Sequence, residues 1–142
     1  MKQVPERSRR VLVVDDEEAI REVAEAALRH VGYAVAVASD GSEAICIAEA
    51  QGPFGLFVID IILPDMRGTE LARRLRQRDA NGKVLYLTGY PNLFFEDGKV
   101  LREHEAFVAK SISLKGLLEA VSLLLFGHTH GPKLYQWDET AC

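Results

Sequence analysis

The sequence predicts a doubly wound α/β domain, a five-stranded parallel sheet with helices on both faces. Three observations predict it. Five short runs rich in Val, Ile, Leu and Ala recur along the chain, each of strand length. These runs are nearly continuously apolar rather than alternating, which is the pattern of parallel strands covered on both faces. Between them lie segments with apolar residues at helical spacing. Strand and helix therefore alternate, and right-handed crossovers then produce a parallel sheet sandwiched by helices.

The first strand is expected at residues 11–14. A helix follows, because Ile20, Val23, Ala24, Ala27, Leu28 and Val31 recur at the three-and-four spacing of one helical face, and Gly32 stops it. Further strands are expected at 34–38, 56–59, 84–87 and 106–109, and weaker helices at 42–50 and 69–78. A poorly patterned helical segment is placed at 92–104. The last helix repeats the clear pattern with Leu114, Leu117, Leu118, Val121, Leu124 and Leu125, with Ser113 as N-cap and Gly127 as terminator. By analogy with doubly wound domains of the flavodoxin-like kind, the strand order is expected to be 2-1-3-4-5, with ligands at the carboxyl ends of the strands. Residues 1–9 are expected to be a solvated arm, 10–126 the domain and 127–142 a tail.

Composition narrows the function classes. With 142 residues, 48% of them hydrophobic, the chain suits one domain with a real core. Its net charge of −4 is spread over interspersed acidic and basic residues, so neither a nucleic-acid face nor a polybasic membrane patch is expected. No apolar run approaches the roughly 20 residues that span a bilayer, and a cytoplasmic location is expected. Two cysteines make no disulfide framework: Cys46 lies in an apolar helical pattern and is expected in the core, and Cys142 ends the chain. His30 and His104 are expected on helix surfaces. His128 and His130, in a Gly-Pro segment, are expected to be solvated, and Tyr135 and Trp137 lie in the tail.

The chemistry gathers at strand ends. Asp15 and Asp16 follow the first strand, Asp60 the third, Thr88 the fourth and Lys110 the fifth, so all five converge on one edge of the sheet. Singly, each has a plainer reading. Asp15 with Glu18 can start a helix as a capping box, Asp60 before the Pro64 turn can be a cap, Thr88 a β-branched strand residue, and Lys110 a solvated charge. Jointly they make a site. Three carboxylates in a partly buried place repel one another unless a cation compensates them, and oxygen-only donors favour a hard ion such as Mg²⁺. With the ion present, Asp60 can attack phosphorus, Lys110 and the Thr88 hydroxyl can hold phosphoryl oxygens, and Gly89 leaves the approach open.

The segments VLVVDDEE, VIDIILPDMRG, VLYLTGY and AFVAK resemble the successive signature segments of response-regulator receiver domains of two-component signal transduction, over residues 10–126. The resemblance implies that Asp15 and Asp16 hold Mg²⁺ together with Asp60, and that Asp60 accepts phosphate from a histidine kinase or phosphotransfer protein. It also implies that Thr88 and Lys110 contact the phosphate, that Thr88 and Phe107 form the switch, and that Pro64 and Gly68 shape the turn after the phosphoacceptor. The GY after Thr88 is similar to receivers attached to hybrid sensor kinases. The expected activity is confined to the domain's own phosphorylation and dephosphorylation. Output passes to an unidentified downstream protein, and homodimerisation through the 92–104 segment stays open. Ile62 and Tyr90, which the resemblance sets beside the phosphoryl group, carry nothing to orient water, so slow dephosphorylation is expected. The family usually has a cis proline after the lysine, where this chain has Ser111. A cis bond to serine costs roughly 2.5 to 4 kcal/mol, against roughly 0.5 to 1 for proline, so a trans Lys110–Ser111 peptide is expected. A haloacid-dehalogenase-like phosphohydrolase is the alternative enzyme class, but it needs a second aspartate where Ile62 stands. A receiver-like binding domain that is never phosphorylated is the other alternative.

Overall fold

The computed structural model describes residues 6–89, 101 and 104–127. Its strands are β1 (Arg10–Val14), β2 (Ala34–Ala38), β3 (Leu56–Asp60), β4 (Lys83–Thr88) and β5 (Glu105–Ala109). All neighbours are parallel, in the order β2-β1-β3-β4-β5. The helices are α1 (Glu18–His30), α2 (Gly41–Gln51), α3 (Gly68–Arg78) and α4 (Leu114–Phe126). The expected 92–104 helix falls almost wholly outside the described residues, as do Tyr90, His128, His130, Tyr135, Trp137 and Cys142.

The nearly continuous apolar strands serve two cores, because successive side chains point to opposite faces. On β1, Leu12 and Val14 join Ile59, Leu71 and Leu75 beneath α2 and α3, while Val11 and Val13 join Leu28, Val121 and Leu125 beneath α1 and α4. Leu28 is fully buried, and Leu28→Ala would cost about 2 to 5 kcal/mol. Ser113 caps α4 by accepting from Gly116 N at 3.0 Å, and Gly127, at φ 80°, closes it in the left-handed conformation. Among the described residues no helix is long and apolar enough to cross a membrane.

Five details depart from the sequence reading, the first being Leu114, which at 51% exposed stands at the N-terminal end of α4, off its buried stripe of Leu117, Val121 and Leu125. Val23 is 49% exposed: Ala24 and Leu28 define the buried stripe of α1, and Val23 lies about 100° round the helix from Ala24. Cys46 is exposed rather than core. The run from Ala44 to Ala48 is apolar nearly all round, so periodicity could not choose its face. Ala44 is buried with Ile45 and Ala48 beside it, which turns residue 46 outward. His104 sits in a turn just before β5 with φ 64°, not on a helix, and its carbonyl accepts from Val84 N at 3.0 Å. Residues 6–9 form a docked 3₁₀ turn instead of a free arm. Arg7 donates to Phe54 O at 2.8 Å and to the Asp79 carboxylate at 2.7 Å, and Gly55 packs so closely that a Cβ there would meet Arg7 O.

Candidate functional site

Asp15, Asp16, Asp60, Thr88 and Lys110 all lie at the carboxyl edge of the sheet. Asp15 follows β1 and is 1% exposed. Its N–H donates to Ala38 O at 3.1 Å, its Oδ1 accepts from Glu17 N at 2.9 Å, and Arg21 donates to its carbonyl at 2.7 Å. The N-cap of α1 is Glu17, with no side-chain cap, so Asp15 and Glu18 do not form a capping box. Asp16, next along, is exposed. Asp60 is the last residue of β3, in register with Leu87 and 5% exposed, and its Oδ1 accepts from Ile62 N at 3.2 Å. Thr88 ends β4, fully buried, and its carbonyl accepts from Lys110 N at 2.8 Å, which seats the lysine at the same edge.

The Lys110–Ser111 peptide is trans, as expected, and Lys110 nevertheless reaches the carboxylates. Its ammonium lies 2.7 Å from Glu17 Oε1, 3.0 Å from Asp15 Oδ2 and 3.1 Å from Asp60 Oδ2. Glu17 was not singled out from the sequence. The only signal for it was its place in the acidic run after β1, because the contact joins residues 93 apart. Gly89 is exposed, and a Cβ there would meet only Lys110 Cδ, at 3.8 Å, so the described surroundings do not require glycine for room.

Electrostatics show what the site can hold. Burial, followed by the charge of Asp15, pushes the Asp60 carboxyl up to about 6, against the opposing Ile62 N–H and Lys110. Burial also raises Asp15. For Lys110, burial works against the charged form, but hydrogen bonds and charge from Glu17, Asp15 and Asp60 outweigh it and hold the ammonium above its ordinary value. Asp15, Asp16 and Asp60 bring one carboxylate oxygen each within 4.8 Å of one another. Buried Asp15 Oδ2 makes no hydrogen bond, since the nearby ammonium is out of line with it. A surplus of negative charge, oxygen-only donors and a buried oxygen without a hydrogen bond fit a hard divalent cation such as Mg²⁺.

Around this centre, Ile62 is 38% exposed and pairs with Arg67 in an antiparallel bridge. Phe107 is half-buried on β5, in register with Tyr86. Gly68 sits so tightly behind the site that a Cβ would collide with Asp60 O.

Residues 11–122 match the family model for the response regulator receiver domain. The transcriptional regulatory protein TrcR of Mycobacterium tuberculosis is 36% identical over 121 residues, covering 85% of this chain and 47% of that protein. The chain spans about half the length of this relative. Among solved structures, the receiver domain of the hybrid histidine kinase CckA matches with TM-score 0.71 and 35% identity, over 82% of this chain and 98% of that one. The response regulator TrrA of Thermotoga maritima, solved in complex with Mg²⁺ and BeF, matches with TM-score 0.71 and 32% identity, over 81% of this chain and 97% of that one.

Proposed function

Because this chain belongs to the response regulator receiver domain family, the phosphoacceptor switches of two-component systems, we propose that Asp60 is its phosphoacceptor and that Asp15, Asp16 and Asp60 hold Mg²⁺. The observation that carries the reading is the buried carboxylate of Asp60 facing Asp15 and Lys110 at the carboxyl edge of the sheet. Bound there, Mg²⁺ would neutralise charge on the carboxylates and on the incoming phosphoryl oxygens.

The side chains supply the rest. At neutral pH Asp60, with its carboxyl at about 6, is mostly ionised and nucleophilic. One of its oxygens forms a bond to phosphorus as the bond to the donor's leaving group breaks, a nitrogen for phosphohistidine or an oxygen for acetyl phosphate. The product is an aspartyl phosphate. Lys110 holds one phosphoryl oxygen by charge and the Thr88 hydroxyl donates to another. The new group adds about −1.5 to −2 charges, draws Thr88 inward and biases the packing of Phe107, so the modified form presents a different face to its target. Ile62, together with Tyr90, leaves attacking water without a group to orient it and keeps dephosphorylation slow.

The donor is a histidine kinase or phosphotransfer protein of the cytoplasm, and output goes to a downstream protein or to another part of a longer chain. Incubation with Mg²⁺ and acetyl phosphate adds one phosphoryl group to the wild type and none to Asp60→Asn. Equal labelling of the two proteins would overturn the assignment.

A further inference from the structure

Resting on the reading of Asp60 as phosphoacceptor, we propose that Asp65 is a positioning residue for it. By gripping the first turn of α2, Asp65 fixes the loop 61–67 so that the Ile62 N–H stays on the Asp60 carboxylate. Asp65 Oδ1 accepts from Gly41 N at 2.9 Å, and Oδ2 accepts from Ser42 N and from the Ser42 hydroxyl, each at 2.9 Å.

Helix α2 also has an N-cap of its own, so Asp65 is not its sole cap. Asp40 already accepts from Glu43 N at 2.8 Å as N-cap, and Glu43 accepts from Ser39 N, just ahead of the cap, at 3.0 Å. What Asp65 adds is a tether between two segments 24 residues apart. Met66 tightens the grip, lying over Gly41 so closely that no Cβ would fit without moving it. At the neck of the loop, Gly68 N donates to Ile61 O at 2.7 Å, and Ile62 bridges to Arg67. The loop is therefore pinned at tip and neck, and Ile62, whose N–H lies 3.2 Å from Asp60 Oδ1, belongs to the neck that the tip contact helps to hold. Releasing the tip frees that N–H to move, and a carboxylate with fewer fixed donors spends less time in line with phosphorus.

Labelling by acetyl phosphate with Mg²⁺ is followed for the wild type, Asp65→Ala, Asp65→Asn and Ser42→Ala, each at the same interval below its own melting midpoint. Asp65→Ala should label about tenfold more slowly, while Asp65→Asn, which keeps one acceptor oxygen, should stay within about threefold of the wild type. Ser42→Ala, which leaves both backbone contacts, should match the wild type. A less stable Asp65→Ala that labels at the wild-type rate would overturn the tether, as would an Asp65→Asn no faster than Asp65→Ala. A second readout does not depend on phosphorylation. The Ile62 amide proton should exchange about tenfold faster in Asp65→Ala, and unchanged exchange at Ile62 overturns the proposal even if the α2 amides loosen. Faster Ile62 exchange in a protein whose wild type never labels would sustain the tether and strike only at the phosphoacceptor reading.

Discussion

The two ends of the sheet are built from similar residues and treat charge in opposite ways. At the amino edge every described polar contact is matched. Arg7 joins Phe54 O and Asp79, Arg76 pairs with Glu105 at 3.0 Å, and Lys83 donates to the carbonyls of Leu124 and Leu125 at the end of α4. At the carboxyl edge Asp15, Asp60 and Glu17 converge on the Lys110 ammonium with Asp16 beside them, and one buried oxygen is left without a hydrogen bond. One edge is thus built for stability and the other concentrates charge that a cation can offset. A surplus of buried charge lowers stability until a cation or a proton offsets it.

The largest effect is expected for Asp60→Asn. It should lower phosphoryl labelling more than about a hundredfold, since the nucleophile is gone. It should also raise the stability of the metal-free protein at pH 7, as read by urea denaturation in a chelator. A destabilised Asp60→Asn would mean that the carboxyl edge carries no surplus charge.

Stability of the metal-free protein should also depend on pH through Asp60. The Asp60 carboxyl is raised from 3.8 to about 6 in the folded protein, so the folded state holds the extra proton between those values. Its stabilising contribution is fully present below the unfolded value and is lost as pH rises through about 6, on the order of 1 to 3 kcal/mol across the window. Urea midpoints of the metal-free protein should show this loss, and Asp60→Asn should flatten it. The same proton competes with Mg²⁺, so cation affinity should fall as pH drops below about 6.

Much of this edge was legible in the sequence, because each apolar run stops abruptly at a polar residue. That boundary alone placed Asp15, Asp60, Thr88 and Lys110 at strand ends, and parallel topology brought them together. Glu17 and Asp65 were not legible. Their contacts span 93 and 24 residues and depend on loop geometry that no local pattern encodes. Cys46 was misplaced for a related reason: in a helix apolar nearly all round, only the position of the sheet decides which face is buried.

Smaller effects separate the two edges further. Lys110→Ala removes the cation shared by three carboxylates from a mostly buried position and should destabilise the metal-free protein by about 1 to 3 kcal/mol. Thermal or urea unfolding in a chelator measures it, and labelling should slow as well. Arg7→Ala, at the amino edge, breaks a pair whose side chains are 28% and 20% exposed. It should cost only about 0.5 to 1 kcal/mol and leave the labelling rate unchanged. A labelling defect in Arg7→Ala would show that the two edges are not separate.

The central claim is that the surplus charge at the carboxyl edge serves phosphoryl transfer to one particular carboxylate. Borohydride reduction of the labelled wild type, followed by proteolysis and peptide mass spectrometry, tests it most directly, because borohydride cleaves an aspartyl phosphate and leaves homoserine in its place. The account predicts homoserine at position 60 alone, dependent on Mg²⁺ and acetyl phosphate. Homoserine at position 15 or 16, or a phosphoryl group that resists borohydride, would contradict it.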